Sequence, residues 1–158
     1  MKPALLALVV AALAFGYAST GHAASSSLPK CPAYAPKFTS VSGVSKHFVR
    51  EGAVVMRLCR YYKNNWATGQ TLWRQRLIDQ SSTIDGLTRA FNRLKEPPRG
   101  IFCVKDDGSE MQLIFGYASG GVERVVVKLS GCRFTTNGKA TRSTTPWLHK
   151  RLLSLANS

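Results

Sequence analysis

The stretch GIFCVKDDGSEMQLIFGYASGGVERVVVKL, residues 100–129, decides the fold of this 158-residue chain. It holds three short segments of strand composition, separated by DDGS at 106–109 and SGG at 119–121, which both favour tight turns. Along the second and third segments apolar side chains alternate with polar ones, as they do when one face of a sheet is buried. The alternating apolar residues are Met111, Leu113, Phe115, Tyr117, Val125, Val127 and Leu129. We therefore predict a three-stranded antiparallel meander whose first strand spans residues 100–105.

The opposite face of this meander combines polar and apolar positions. Gln112, Arg124 and Lys128 lie there, and their side chains favour contact with water. Ile114 and Val126 share that face, which indicates that another segment covers part of it.

One or two further strands precede the meander. Residues 53–62, AVVMRLCRYY, are rich in β-branched and aromatic side chains and predict a strand. Residues 64–69 have turn composition, so residues 71–78, TLWRQRLI, could return as a second strand. A helix is the alternative for residues 71–78, because Gln, Leu and Arg all favour helices.

The first of two predicted helices lies between the N-terminal strands and the meander. Residues 82–85, STID, resemble a capping box, and Pro97-Pro98 should end the helix. Its apolar residues recur at helical spacing and are Ile84, Leu87, Phe91 and Leu94.

The second predicted helix lies near the C-terminus, after a polar connection over residues 131–144 in which Asn137-Gly138 indicates a turn. Thr145 supplies an N-cap side chain and Pro146 a favourable first helical residue. The buried stripe is Leu148, Leu152 and Leu155. The fold class is therefore α+β, in which an antiparallel sheet, made of the three-stranded meander plus one or two N-terminal strands, packs against two helices.

Residues 1–23 have the layout of a secretory signal peptide. Lys2 supplies a positive charge, residues 4–15 form an apolar run, and Gly21 and Ala23 are the small residues expected before cleavage between Ala23 and Ala24. A membrane anchor is the alternative, but this run is shorter than the roughly 20 residues that span a bilayer. We therefore expect an exported protein, cleaved after Ala23.

The mature chain then has two parts. Residues 24–37 are rich in Ser, Pro and Ala and predict an extended arm, and residues 38–158 predict a single domain. Lys30 stands where a lipid-attachment box needs a small residue before Cys31, so a lipoprotein is not expected.

Four cysteines remain after cleavage: Cys31, Cys59, Cys103 and Cys132. An even number in an exported protein predicts two disulfides. We favour Cys31–Cys59 with Cys103–Cys132, because the meander brings Cys103 and Cys132 to the same sheet edge, and the two other pairings stay open. No two of these cysteines have CxxC spacing, so we expect no metal site.

Several short motifs resemble a known group. They are Cys59-Arg60-Tyr61, residues 100–103, Asp107-Gly108, Gly131-Cys132 and Asn137-Gly138. Over residues 31–155 the chain resembles exported and lipoprotein-like small domains of high-GC Gram-positive bacteria. The resemblance implies a two-disulfide export domain. That group has no assigned activity, so no catalytic residue is carried over from it. Many of its members carry a lipid-anchoring cysteine, and this chain departs from them in that respect.

The charge is strongly positive and unevenly distributed. With 22 Lys and Arg against 8 Asp and Glu the formal net charge is +14, and the hydrophobic fraction of 44% excludes a disordered chain. No acid lies between Glu51 and Asp79, where cationic and aromatic residues alternate. Such a mixture suits an anionic polymer, an anionic membrane surface or an acidic protein, although the aromatic residues could instead belong to the core. The candidate binding residues are Arg57, Arg60, Tyr61, Lys63, Trp66, Trp73, Arg74 and Arg76.

The leading functional hypothesis is thus a non-enzymatic exported domain that binds an anionic partner and uses no cofactor. A secreted inhibitor or effector of a protein target is one alternative. A ribonuclease-like enzyme is another, with His47 and His149 as proton acceptor and donor. Serine catalysis lacks a GxSxG elbow, and the DDG at 106–108 lacks the spacing of a calcium loop, so a hairpin turn is expected there.

Overall fold

The computed structural model describes residues 28–37, 46–65 and 69–158, which contain six strands and two helices. In chain order the elements are β1 (Ala53–Asn65), β2 (Gly69–Ile78), α1 (Ser81–Asn92), β3 (Glu110–Tyr117), β4 (Val122–Lys128), β5 (Phe134–Thr136), β6 (Thr141–Ser143) and α2 (Pro146–Asn157). They form one antiparallel sheet in the order β2-β1-β3-β4-β5-β6. The predicted α+β class, with an antiparallel sheet, two helices and two disulfides, is confirmed.

One face of the sheet packs against both helices. The alternating residues predicted to be buried along β3 and β4 do lie in this core, together with the apolar stripes of α1 and α2. Aromatic rings connect the layers: Phe91 of α1 stacks on Phe48 with ring centres 6.3 Å apart and meets Phe115 of β3 edge-on at 6.1 Å. Apolar burial on this face is the main source of stability.

The other face of the sheet is covered by residues 28–37, the described part of the predicted arm. Leu28 packs on Val55 and Ile114. Later in the arm, the backbone groups of Ala33 and Ala35 form hydrogen bonds with β2. A Cβ at Gly116 would lie 2.7 Å from a methyl group of Leu28, so a larger residue there would require the Leu28 side chain to shift. Because the arm covers this face, all of β3 is buried. This includes Gln112, which the sequence predicts to be exposed to solvent.

Both predicted disulfides are present, Cys31–Cys59 and Cys103–Cys132. The first fixes the arm to β1, and the second joins the segment before β3 to the segment after β4. The predicted signal peptide lies outside the described residues, as do residues 66–68 of the predicted turn.

The prediction of a strand at residues 100–105 is wrong, since this segment has no strand partner. Both neighbours of β3 in the sheet are already present, β1 on one side and β4 on the other. The segment therefore serves as a connection from α1 to β3. The turn at 106–109 is an Asx turn in that connection, where the Asp107 carboxylate accepts from the backbone N–H of Ser109 at 2.8 Å, and no hairpin forms.

The polar connection predicted for residues 131–144 contains two strands instead, β5 and β6. Their hairpin turns at Asn137-Gly138, as the sequence indicates, and the Asn137 side chain accepts from the backbone N–H groups of Lys139 and Ala140 at 2.9 Å. Threonines supply the β-branched shape that this short hairpin needs.

The helix ends correct one prediction and confirm another. Helix α1 begins at Ser81 with Gln80 as N-cap, and no side chain caps it, so the capping box at residues 82–85 is wrong. Helix α2 begins as predicted, because the Thr145 hydroxyl accepts from the backbone N–H of Leu148 at 3.3 Å. The competing strand prediction for residues 71–78 is the right one, since β2 pairs with β1 over most of its length.

Candidate functional site

Four of the predicted binding residues come together where β1 and β2 pass the C-terminal end of α2. They are Arg60, Trp73, Arg74 and Arg76, and we call this group the basic edge. Arg60 and Arg74 are direct partners across the two strands, and the register shifts beside them, so that Trp73 is an extra residue on β2. This bulge places a large ring beside two guanidinium groups.

The Trp73 ring lies against both cations. The guanidinium carbon of Arg60 is 4.4 Å from the ring centre and that of Arg74 is 4.8 Å from it, while 52% of Trp73 remains exposed. Cation–π attraction of this kind orients arginine side chains that would otherwise sample many rotamers. The two guanidinium groups are therefore pre-organised on an accessible surface.

Two of the arginines also bond to the end of α2. Arg60 donates to the Asn157 side chain at 2.9 Å, and Arg76 donates to the carbonyl of Leu155 at 3.2 Å and to the Ser158 hydroxyl. Cations are favourable at a helix C-terminus, where backbone carbonyls lack partners. A shallow groove of about 330 Å³ separates β2 from this helix end. Arg74 and Arg76 both line this groove, and Arg74 is the more exposed of the two.

Among the residues that the structure describes, no carboxylate side chain forms an ion pair with the basic edge. The ion pairs of the described residues join Lys128 to Asp106 and Glu110, and Arg142 to Glu96. The pKa of Arg60 is lowered by burial and by repulsion from Arg74. Both causes are those expected for a partly buried cation beside another cation.

The remaining predicted residues lie elsewhere. Tyr61 is fully buried under the arm and donates to the carbonyl of Pro32 at 3.1 Å, so its ring offers no stacking face. Burial raises the pKa of Tyr61 to about 12. Arg57 lies on the opposite face of β1, opposite Leu77 and Ile114. The side chain of Lys63 and the whole of Trp66 are outside the described residues.

The two histidines of the ribonuclease-like alternative do not meet. His47 shares a shallow pocket with Val122 at the start of β4, whereas His149 lies 3.0 Å from the carbonyl of Leu129 just beyond its end. Seven residues of strand separate those positions by roughly 23 Å. A single phosphodiester cannot contact both imidazoles, so this pair provides no acid–base mechanism.

A second basic and aromatic surface was missed by the sequence analysis. Trp147 is 59% exposed between the two helices, where grooves on either side of it are lined by Arg89, Arg93 and Arg151. The sequence does contain one signal for its exposure, because Trp147 lies outside the buried stripe of Leu148, Leu152 and Leu155. Because α1 and α2 are distant in sequence, only their packing brings these residues together.

Comparison of the chain with protein-family models, with curated proteins and with solved structures finds no match.

Proposed function

We propose that this protein is an exported, non-enzymatic binding domain that takes an anionic partner at its basic edge. The supporting observation is that Arg60 and Arg74 contact an exposed tryptophan, Arg76 lies beside them at the end of α2, and no acidic side chain among the described residues forms an ion pair with any of the three. Guanidinium groups donate paired hydrogen bonds to phosphate, sulfate or carboxylate oxygens. The partner is therefore a surface or polymer that presents such groups repeatedly.

Export is part of this proposal. The two disulfides are consistent with an extracytoplasmic protein. Among the residues that the structure describes, no helix is long and apolar enough to cross a membrane. Removal of residues 1–23 as a signal peptide leaves a net charge of +13, since 14 − 1 = 13 once Lys2 is lost.

The charge of the whole molecule acts together with the local site. A strongly basic domain is attracted to any polyanion through release of condensed counterions, and this attraction weakens as salt rises. What distinguishes the basic edge from general attraction is the fixed orientation of its arginines. A ligand bound there should depend on Arg74 more than on an equally exposed arginine elsewhere.

The test compares two charge-neutralising variants of the disulfide-bonded mature chain. Binding of heparin and of single-stranded DNA is measured over a series of salt concentrations for Arg74→Gln and for the control Arg124→Gln, an exposed arginine of β4 that lies outside both basic surfaces. We expect Arg74→Gln to lower affinity and to reduce the slope of log K against log salt by about one unit. Arg124→Gln should change both quantities much less.

Equal effects of the two variants would show that net charge alone drives binding and would overturn the assignment to the basic edge. Absence of binding to heparin, DNA and anionic vesicles at low salt would overturn the anionic-partner proposal. In that case a secreted inhibitor or effector of a protein target becomes the better hypothesis.

A further inference from the structure

The segment that connects α1 to β3 exposes three apolar side chains in a row of four residues. Phe102 is 100% exposed, Val104 is 75% exposed and Ile101 is 45% exposed. We call residues 101–104 the apolar loop. A fully exposed phenylalanine close to an exposed valine leaves an apolar patch in contact with water. Such a patch does not stabilise the fold and marks a site of interaction.

The apolar loop is held at its base. Cys103, between Phe102 and Val104, points back into the disulfide with Cys132, so the two apolar side chains flank the residue that anchors the loop. Just beyond it Asp107 donates its backbone N–H to Ser130 at 3.0 Å, and the Asp106 side chain accepts from the Ser130 hydroxyl. Little conformational entropy is then lost when the loop binds.

Charges around the loop favour an anionic surface. Arg99, Lys105 and Arg133 are exposed on either side of it or beside its disulfide. Two carboxylates lie nearby, Asp106 and Asp107, but both accept hydrogen bonds from residues at the base of the loop. The tip itself is apolar and its rim is mainly cationic.

The loop and the basic edge belong to the same end of the sheet. Arg60 pairs with Met111, the second residue of β3, and residues 105–109 connect the apolar loop to the start of β3. A flat anionic surface that meets this end can therefore contact both.

We propose that the apolar loop inserts into the interfacial region of a bilayer that contains anionic lipids. Aromatic and aliphatic side chains with a cationic rim suit that interface, where apolar groups enter the acyl boundary and cations meet the headgroups. This inference rests on the proposed function only for the first attraction to an anionic surface. It adds a contact that salt does not screen, the burial of Phe102 and Val104.

The experiment measures co-sedimentation of the disulfide-bonded mature chain with vesicles of phosphatidylcholine that contain or lack phosphatidylglycerol. The test variant is the double substitution Phe102→Ser with Val104→Ser, which keeps the charge. The matched control is Val122→Ser, a valine that is 41% exposed at the opposite end of β4. Circular dichroism and a thiol assay verify that each variant is folded and fully oxidised.

We expect the loop variant to bind anionic vesicles roughly tenfold more weakly or worse, because each buried methylene adds to membrane affinity. Its affinity for heparin should be unchanged, and Val122→Ser should behave like the wild type on both probes. Equal vesicle affinity of the loop variant and the wild type would overturn the inference while leaving heparin binding, and so the proposed function, intact. If the wild type binds neither heparin nor single-stranded DNA, an anionic polymer is rejected as the ligand of the basic edge, and loop-dependent vesicle binding would still support insertion.

Discussion

At the scale of single residues, Trp73 is the side chain that organises the basic edge, because it contacts the guanidinium groups of Arg60 and Arg74. Replacing Trp73 with Ala should weaken heparin binding several-fold, since each exposed cation–π contact contributes about 0.5–1 kcal/mol to holding an arginine in place. The salt slope should stay the same, because no charge is removed. A salt titration of Trp73→Ala beside Trp147→Ala, an equally exposed tryptophan, measures both quantities.

Trp73 is half exposed, so the same substitution should cost little folding stability. A large loss of the free energy of unfolding in Trp73→Ala would show that the ring is structural. An equal loss of heparin affinity in Trp147→Ala would move the binding site toward the groove between the helices.

His149 is the residue whose titration should affect stability. Burial lowers its pKa, the carbonyl of Leu129 partly opposes this, and Arg133 and Arg60 lower the pKa further. The unfolded chain therefore takes up its proton at a higher pH than the folded chain, near the usual value of 6.5. At a pH between the His149 pKa of the folded chain and that of the unfolded chain, the unfolded state binds more protons. The free energy of unfolding therefore falls as the pH drops through about 6.5.

The measurement is chemical denaturation of the wild type and of His149→Gln between pH 7.5 and pH 5. Glutamine can still donate to the carbonyl of Leu129 but does not titrate in this range. We expect the wild type to lose more stability than the variant as the pH falls. Parallel curves would contradict the lowered pKa, because other titrating groups are common to both proteins.

At the scale of elements, the arm over residues 28–37 is the piece whose position depends on one covalent bond. It covers β1 and β3 through Leu28, and the disulfide Cys31–Cys59 fixes it to the sheet. Replacing both cysteines with serine should reduce the free energy of unfolding by about 2–5 kcal/mol. The arm should also become the first site of proteolysis, because its remaining contacts with β2 are few.

Limited proteolysis followed by mass measurement locates the first cut in this variant. The matched comparison is the variant that replaces Cys103 and Cys132 with serine, which should keep the arm protected and free the apolar loop instead. An arm that stays protected without Cys31–Cys59 would mean that packing of Leu28 is sufficient to hold it.

At the scale of the whole molecule, export and oxidation should go together. The mature protein is expected to begin at Ala24 and to contain no free thiol, because all four cysteines are paired. N-terminal sequencing, intact mass and a thiol assay in denaturant test both statements on protein recovered outside the cell. An uncleaved N-terminus would contradict the signal peptide, and two or more free thiols per chain would contradict the two-bridge structure.

The sequence by itself determined the features that depend on local pattern. Alternation placed Met111, Leu113 and Phe115 in the core, and a cap followed by proline started α2 at Pro146. The same local chemistry placed the turn at Asn137-Gly138. Such features can be predicted because the physical cause lies within a few residues of its effect.

Only the tertiary structure decided the features that depend on distant partners. Residues 100–105 have strand composition but find no free neighbour beside β3, so Phe102 and Val104 end exposed. Tyr61 resembles a binding residue in the sequence, yet the arm buries it. The basic edge was predicted only in part. The density of positive charge in the sequence identified its arginines, but the bulge at Trp73 and the end of α2 determine how they are arranged. Competition for sheet edges and contacts between remote segments are properties of the whole chain, and no local pattern encodes them.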